Sequence, residues 1–513
     1  MNITRFAPSP TGYIHIGNVR SAIYPYLIAK QSDGGRFILR IEDTDRNRYV
    51  PGATELILET LTWLGLDWDE GIIKGGNHGP YYQSERRDIY HEYARKLIES
   101  GRAYADPTPP EVIDGYRKED NAKKIPFLYR NHRPDTTSSW EPGIPLRFKS
   151  EPKSIKWHDE VMGDLETGPE VMDDIILIKK DGLPTYNFAH IVDDYEMQVT
   201  HIVRGVEYLS SMPNYLAIYE ALSIDHPKFV SLPHVLAPQG NKKLSKRDGA
   251  KSVIEYKDSG VLPEAMLNYL ACLGWNDGSE QEIYSKSELL DKFSIDRIQS
   301  SGARFDEVKL LWQNGQWIRK IFDEQGCDTL YAYTISRDPS AIAANQANPT
   351  RDSLINFWPE SAMNYDESYR KKVLSIIYDR LKTLSDLREF TGYFFKDPRI
   401  DLEYLQSNKF IKKLSETEQR DLLSATIEKL QKIGNGSTDS SNPAAWTADN
   451  LQSAFNELLA ETGKKPAELF SLIRIALSFA TFSPALHLTC EVLGRERVLA
   501  RLNTTRSAIV NDL

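Results

Sequence analysis

Apolar and polar positions change rhythm along this chain. Over residues 1–100, short apolar runs alternate with stretches of helical spacing, as in an α/β layer structure. A short strand is predicted from Ile3, stopped by the turn that Pro8 and Pro10 impose, and a helix opens at His15-Ile-Gly-Asn18. Arg36-Phe-Ile-Leu-Arg-Ile41 reads as a compact strand, with Glu42-Asp-Thr-Asp-Arg46 as the polar loop at its carboxyl end, the edge where open α/β sheets bind ligands. Thr54 to Leu64 has apolar residues at helical spacing and ends at Gly65. From about Asp106 to Pro145, prolines and charges replace periodicity, as in an insertion or small module. Strand patterns return at Ile175-Ile-Leu-Ile178, before an Asp181-Gly182 turn, and at His201-Ile-Val-Arg204 with its polar tip.

Helical patterning dominates after about residue 260. Leu262 to Leu270 begins a helix with Pro263 in its first turn. Residues 335–352 carry Pro, Asn and Ser and read as a join between domains; Val373 to Leu387 and Ser415 to Ile433 read as amphipathic helices. Residues 434–443 are the clearest loop. Trp312 and Trp317 have apolar neighbours and are expected in the core rather than stacked on bases.

Length and composition narrow the classes. A chain of 513 residues is too long for one core. Its 40% apolar and 27% charged residues are ordinary for a globular protein, and no apolar run approaches the ~20 residues of a membrane span. The N-terminus lacks a basic region followed by an apolar stretch. Cys272, Cys327 and Cys490 lie far apart without a CxxC pair, so a reducing cytoplasm is expected rather than a zinc or disulfide framework. The net charge of −10 means that RNA, if bound, meets a local basic surface on an acidic body.

The candidate chemistry lies in two motifs. The strand–turn–helix unit around Pro8-Ser-Pro-Thr-Gly12 and His15-Ile-Gly-Asn18 suits a phosphate ligand. Gly12 and Gly17 carry no side chains to block approach, the helix N-terminus offers N–H groups and a positive dipole end, and His15 and Asn18 add donors. Far downstream, Lys243-Leu-Ser-Lys-Arg247 sits between Gly240 and Gly249, a loop able to close over a triphosphate and place ammonium groups on developing charge. Together they point to an enzyme that activates a substrate with ATP.

These residues resemble the bacterial-type glutamyl-tRNA synthetases, class I aminoacyl-tRNA synthetases. The likeness extends, in order, through Phe37 to Asp45, Leu183 to Ala189, Val192-Asp-Asp194, Leu262 to Trp275, Phe305 to Leu310, Leu472 to Leu477 and Leu493 to Arg497. It implies an α/β Rossmann-like catalytic domain with an inserted acceptor-binding module, followed by an all-α anticodon-binding domain. The expected boundaries are 1–105 and 186–250 for the catalytic halves, 106–185 for the insertion, 251–330 for a stem-contact region and 331–513 for the helical domain. By the same resemblance Arg5, Ser9, Glu42, Tyr186 and Arg204 line a glutamate pocket; two arginines and a carboxylate complement glutamate's two carboxylates and one ammonium. Which arginine takes the side-chain carboxylate stays open. ATP is expected against His15, Gly17 and Asn18, with Glu207 and Leu236 near the nucleoside and Lys243, Ser245, Lys246 and Arg247 at the phosphates. His15, Lys243 and Lys246 are the expected catalytic residues, with Mg²⁺ sharing the phosphate charge.

Some relatives hold zinc through cysteines in the segment equivalent to Ala103–His132; Tyr104-Ala-Asp106 and Tyr129-Arg-Asn131 have none, so no zinc and no other resident metal are expected. Arg474, Arg495, Arg497, Arg501 and Arg506 are candidates for tRNA contact. The implied reaction is ATP-dependent ligation of glutamate to tRNA-Glu by a cytoplasmic monomer, with charging of tRNA-Gln as well, or a glutaminyl enzyme, as alternatives. A small nucleotidylyltransferase would lack the C-terminal half, as would an enzyme that transfers glutamate to a modified base. An inactive RNA-binding paralogue would not need His15, Lys243 and Lys246.

Overall fold

The computed structural model describes residues 1–12, 14–134, 139–244, 251–336, 355–434 and 445–509. The chain forms two compact units, one of residues 1–257 and 263–313, the other of 258–262 and 314–513.

The first unit is built on a seven-stranded sheet. Its strands and those of a smaller sheet are, in chain order, β1 (Ile3–Phe6), β2 (Arg36–Leu39), β3 (Glu70–Gly71), β4 (Ala103–Ala105), β5 (Leu146–Phe148), β6 (Ile155–Asp159), β7 (Gly163–Thr167), β8 (Ile176–Ile178), β9 (His201–Gly205) and β10 (Lys228–Leu232). The large sheet runs β3-β2-β1-β9-β10-β6-β7, parallel except for the antiparallel edge strand β7. The N-terminal strand thus lies near the middle, with Arg5 beside Ile38 of β2 and Thr4 beside His201 of β9. Such strands are covered on both faces, which explains why β1 is buried along its length. Helix α1 (Ile16–Lys30) packs on β1 and β9 and is buried almost all round, from Ile16 and Val19 through Ile28 and Ala29.

The remaining helices used below are α2 (Ala53–Trp63), α3 (Arg87–Glu99), α4 (Pro110–Ala122), α5 (Tyr186–Glu196) and α6 (Met212–Leu222). The β4-β5-β8 sheet is antiparallel and carries α4 between its first two strands. It occupies much of the segment expected as an insertion, but the β6–β7 hairpin within that segment joins the large sheet instead.

The second unit is helical apart from one short strand pair, Ile335–Ser336 with Ile355–Asn356, among the described residues. Gly260 is held at φ +84°, and a Cβ there would meet the Leu384 backbone nitrogen at 2.7 Å, so only glycine fits that approach. The single helix expected over Val373–Leu387 is two, Glu367–Ser375 and Asp386–Phe395. Asp386 explains the break: its carboxylate accepts from the backbone N–H groups of Lys382 (2.8 Å) and Thr383 (2.9 Å), fixing a turn where the apolar periodicity continued. Ser415 opens Glu416–Gln431 with a capping box closed by Glu418. Residues 337–354 and 435–444, which contain most of the expected join and loop, lie outside the described residues. Trp317 is in the core as expected, whereas Trp312 is 44% exposed because it falls on the outer face of the helix Glu307–Gln325.

Candidate active site

A cavity of about 330 Å³ opens at the carboxyl ends of β1 and β9, where the parallel sheet presents its ligand-binding edge. Its lining includes Arg5, Ser9, Glu42, Tyr186 and Arg204, and also His15, Gly17, Asn18, Glu207 and Lys243. Two groups of residues expected from separate arguments, one for an amino acid and one for a nucleotide, therefore share one space. Val235 lines it in place of its neighbour Leu236, which pairs with Lys243 across a β-bridge. Ser245, Lys246 and Arg247 lie outside the described residues.

The nucleotide end is the start of α1. His15 is its N-cap in extended conformation, and its backbone N–H donates to Asn18 Oδ1 at 3.4 Å. Asn18 thus turns its carbonyl oxygen into the cap and keeps its amide N–H groups for a ligand. A Cβ on Gly17 would come within 3.3 Å of the His15 ring, so the glycine seats that ring; at Gly12 a Cβ would meet nothing within 4 Å. Opposite, the Lys243 ammonium donates to Glu207 Oε1 at 2.8 Å, and His234 Nδ1 lies 3.6 Å from Oε2. The Glu207 pKa is lowered: its burial raises it, but the hydrogen bond and charge of Lys243 outweigh that.

The amino-acid end rests on a buried ionic network. Arg5 Nε and Nη2 clamp Asp194 Oδ1 and Oδ2 at 3.0 and 3.2 Å, and Nη1 donates to the Val203 carbonyl. Arg40 donates to Glu42 Oε1 at 3.0 Å and to Asp194 Oδ1 at 2.9 Å. Arg86, Gln83 and Tyr90 converge on Asp193 at 2.7, 2.8 and 2.9 Å. Burial raises Glu42 to about 7 against the opposing pull of Arg40 and Arg5. Asp194, equally buried, is held well below the usual carboxylate range because Arg5 and Arg40 together overcome its desolvation. His190, on α5 beside Tyr186, is neutral near pH 7, its pKa lowered by burial to about 4.

Arg204, like Arg20 on α1, differs from Arg5, Arg40 and Arg86 in having no carboxylate partner among the described residues. It is 7% exposed and surrounded by the rings of Tyr208, Tyr215 and Phe229, at 5.4, 5.0 and 5.9 Å from its guanidinium carbon. Its Nη1 has no hydrogen-bond partner, and no carboxylate pairs with it among the described residues. Sequence reasoning found Arg5, Glu42 and Arg204 but not Arg40, Gln83, Arg86 or Tyr90. The available signal was Asp193-Asp194 inside an apolar helix, since two adjacent carboxylates placed in a core need cations nearby.

The five arginines expected at RNA separate by structure. Arg501 is buried and donates to the Leu477 and Tyr393 carbonyls and to Asp397, so it ties helices together and is not presented to a ligand. Arg495 donates to the carbonyls of Ile433 and Gln431 at the end of the helix Glu416–Gln431, Arg497 to the Phe394 carbonyl and Tyr369 hydroxyl, and Arg506 to Ser424 and Asn503. Arg474 alone of the five is exposed.

In the segment where some relatives bind zinc, Asp106 pairs with Arg147, whose guanidinium lies 3.5 Å above the centre of the Tyr129 ring. Tyr104 donates to Asp174 at 2.8 Å, and His132 Nε2 lies 2.9 Å from Asp120. These pairs do the cross-linking, and among the described residues no group of three or more His, Cys, Asp or Glu gathers to hold a metal ion.

Comparison with known proteins bears on the whole chain. Residues 2–312 match the family described as class I tRNA synthetases (E and Q), catalytic domain, and residues 351–506 match an anticodon-binding domain. A glutamate–tRNA ligase of Dehalococcoides mccartyi is 38% identical over 97% of this chain and 96% of its own length; one from Clostridium botulinum is 39% identical at the same coverages. The crystal structure of a glutamate tRNA ligase from Elizabethkingia meningosepticum, in complex with its amino acid, superposes with a TM-score of 0.81 at 31% identity, covering 99% of both chains. With a strand–turn–helix unit and a cavity at one sheet edge, and a helical unit following, the chain belongs to the class I tRNA synthetases of the glutamate and glutamine type.

Proposed function

We propose that the protein ligates L-glutamate to tRNA-Glu through a glutamyl-adenylate, with release of pyrophosphate and AMP. One observation carries the choice of amino acid. The guanidinium groups of Arg5, Arg40 and Arg86 are matched by the carboxylates of Glu42, Asp193 and Asp194, whereas Arg204 and Arg20, both buried and both lining the cavity, have no carboxylate partner among the described residues. Glutamate brings a second carboxylate to these unmatched guanidinium groups; glutamine lacks it and would leave one more desolvated guanidinium unmatched. Arg204 accordingly takes the side-chain carboxylate, and Glu42 holds the ammonium.

In the first step an α-carboxylate oxygen attacks the α-phosphorus of ATP as the bond to the bridging oxygen of pyrophosphate breaks. The chemistry needs positioning and charge neutralisation rather than a protein nucleophile. Backbone N–H groups at the start of α1, with His15 and the amide of Asn18, receive the phosphates. Lys243 exchanges Glu207 for the departing pyrophosphate, and Ser245, Lys246 and Arg247, which follow it in the sequence, add donors and positive charge for the phosphates. In the second step a hydroxyl of the terminal ribose attacks the activated carbonyl; the hydroxyl proton leaves and AMP departs. The cavity offers Glu207 already paired with Lys243 rather than a cluster of carboxylates, so a Mg²⁺ ion fits as part of the nucleotide and supplies charge neutralisation there. The reading places a monomeric enzyme in the cytoplasm.

Aminoacylation of purified tRNA-Glu and tRNA-Gln with radiolabelled glutamate tests it, with glutamine as the control amino acid. Charging of tRNA-Glu by glutamate alone is expected. Transfer of glutamine in preference to glutamate would overturn the reading, and glutamate charging of both tRNAs would show a relaxed tRNA choice.

A further inference from the structure

Arg40 is fully buried and is absent from the lining of the cavity, yet it touches the carboxylate expected to bind the substrate ammonium. One side of its guanidinium donates to Glu42 Oε1 at 3.0 Å, the other to Asp194 Oδ1 at 2.9 Å, and Nε lies 3.5 Å from Asp193 Oδ2. Asp194 is also the residue that clamps Arg5. The second donor to Glu42, Gln83 Nε2, lies 3.5 Å from the same Oε1 and 2.8 Å from Asp193. Both donors therefore meet one oxygen of Glu42, no side chain among the described residues donates to the other, and Glu42 itself lines the cavity.

We propose that Arg40 is a positioning residue for amino-acid recognition: by gripping Glu42 and Asp194 with one guanidinium, it aims the free oxygen of Glu42 at the substrate ammonium and joins it to the helix that anchors Arg5. This rests on the reading of the cavity as a glutamate site. The planar fork is essential to the device. A lysine preserves the charge but concentrates it on one nitrogen, which cannot span two acceptors in the same geometry. The groups facing Glu42 are Arg40 from just after β2, Arg5 from β1, Asp194 and Tyr186 from α5, and Gln83; Arg204 and Tyr215 lie around Tyr186. Arg40 is its closest cation, so loosening it weakens the main force that opposes desolvation of the carboxylate. The direction follows: a weaker partner raises the pKa of Glu42, and the ionised form that binds the ammonium then appears only at higher pH.

The test is ATP–pyrophosphate exchange with tRNA-Glu present, across pH, on wild type, Arg40→Lys and Gln83→Met. For Arg40→Lys, KM for glutamate rises by at least about tenfold while KM for ATP stays within about twofold, since a charge-assisted fork is lost at the amino-acid end only. The acid limb of kcat/KM for glutamate moves up by about one pH unit or more. Gln83→Met, which removes one neutral donor, shifts both in the same direction by less and carries the test should Arg40→Lys fold poorly. An unmoved acid limb in both variants, or equal losses for ATP and glutamate, would overturn the inference. A wild type that does not activate glutamate overturns instead the function on which it rests.

Discussion

Arginines that the two units enclose, wholly or in part, meet different partners. In the first unit Arg5, Arg40 and Arg86 are met by side-chain carboxylates. In the second, Arg501, which is buried, and Arg370, Arg495 and Arg497, which are half-buried, donate largely to backbone carbonyls at the ends and turns of helices. A carboxylate can be protonated, re-aimed or displaced by a ligand carboxylate, so the first arrangement is chemically adjustable. A carbonyl oxygen at a helix end is fixed by the helix and does not titrate, so the second arrangement is architecture. The same residue type thus builds a site in one region and a frame in the other.

The comparison breaks most sharply at Arg204. Its replacement by methionine is expected to lower kcat/KM for glutamate by about a thousandfold or more, since a buried charge pair with the substrate is lost. Melting should stay near that of wild type, because no protein carboxylate is left unpaired; a collapse of the fold in place of a kinetic loss would move Arg204 to the architectural class. Arg501→Met tests the other region. It orphans the Leu477 and Tyr393 carbonyls and should destabilise the second unit by about 3 kcal/mol, read by urea unfolding, with glutamate KM unchanged where the protein is folded.

A third measurement sharpens the contrast through pH. Burial raises Glu42 to about 7, and the charged form is the one proposed to hold the ammonium, so kcat/KM for glutamate should fall as pH drops through about 7. Stability of the carbonyl-bound arginines should show no matching step. The smallest effect is expected at Arg474→Ala: KM for tRNA about threefold higher, and a salt dependence shallower by about one unit of slope, as for one lost phosphate contact. Arg506→Ala, already engaged by Ser424 and Asn503, should leave the salt slope unchanged.

Elements that follow local rules were legible in the residues. Ser415 and Glu418 announce their helix, Pro8 and Pro10 end the first strand, and the run from Arg36 builds β2. Arg5, Glu42 and Arg204 were reached through the family resemblance, and their chemistry agrees with it because it complements glutamate. Arg40 was not, because its importance comes from a helix more than 150 residues away along the chain, through Asp194. The break after Ser375 was missed for a related reason: a single Asp386 side chain overrides an apolar spacing that continues past it. Arg501 was misjudged because arginines on a helix look alike in sequence, whichever face is covered.

The place of β1 in the sheet has a consequence for how the protein is born. Its outer neighbour, β2, is synthesised within the next few dozen residues, but its inner neighbour, β9, emerges only after residue 200. At roughly 5–20 residues per second, the first strand waits on the order of ten to forty seconds with one hydrogen-bonding edge open. Arg5 and Arg204 stand at the ends of the two strands whose meeting closes that edge. Assembly of the amino-acid site therefore belongs to a late step of folding, so a ribosome paused before β9 would carry a nascent chain with half a sheet and no capacity to hold glutamate.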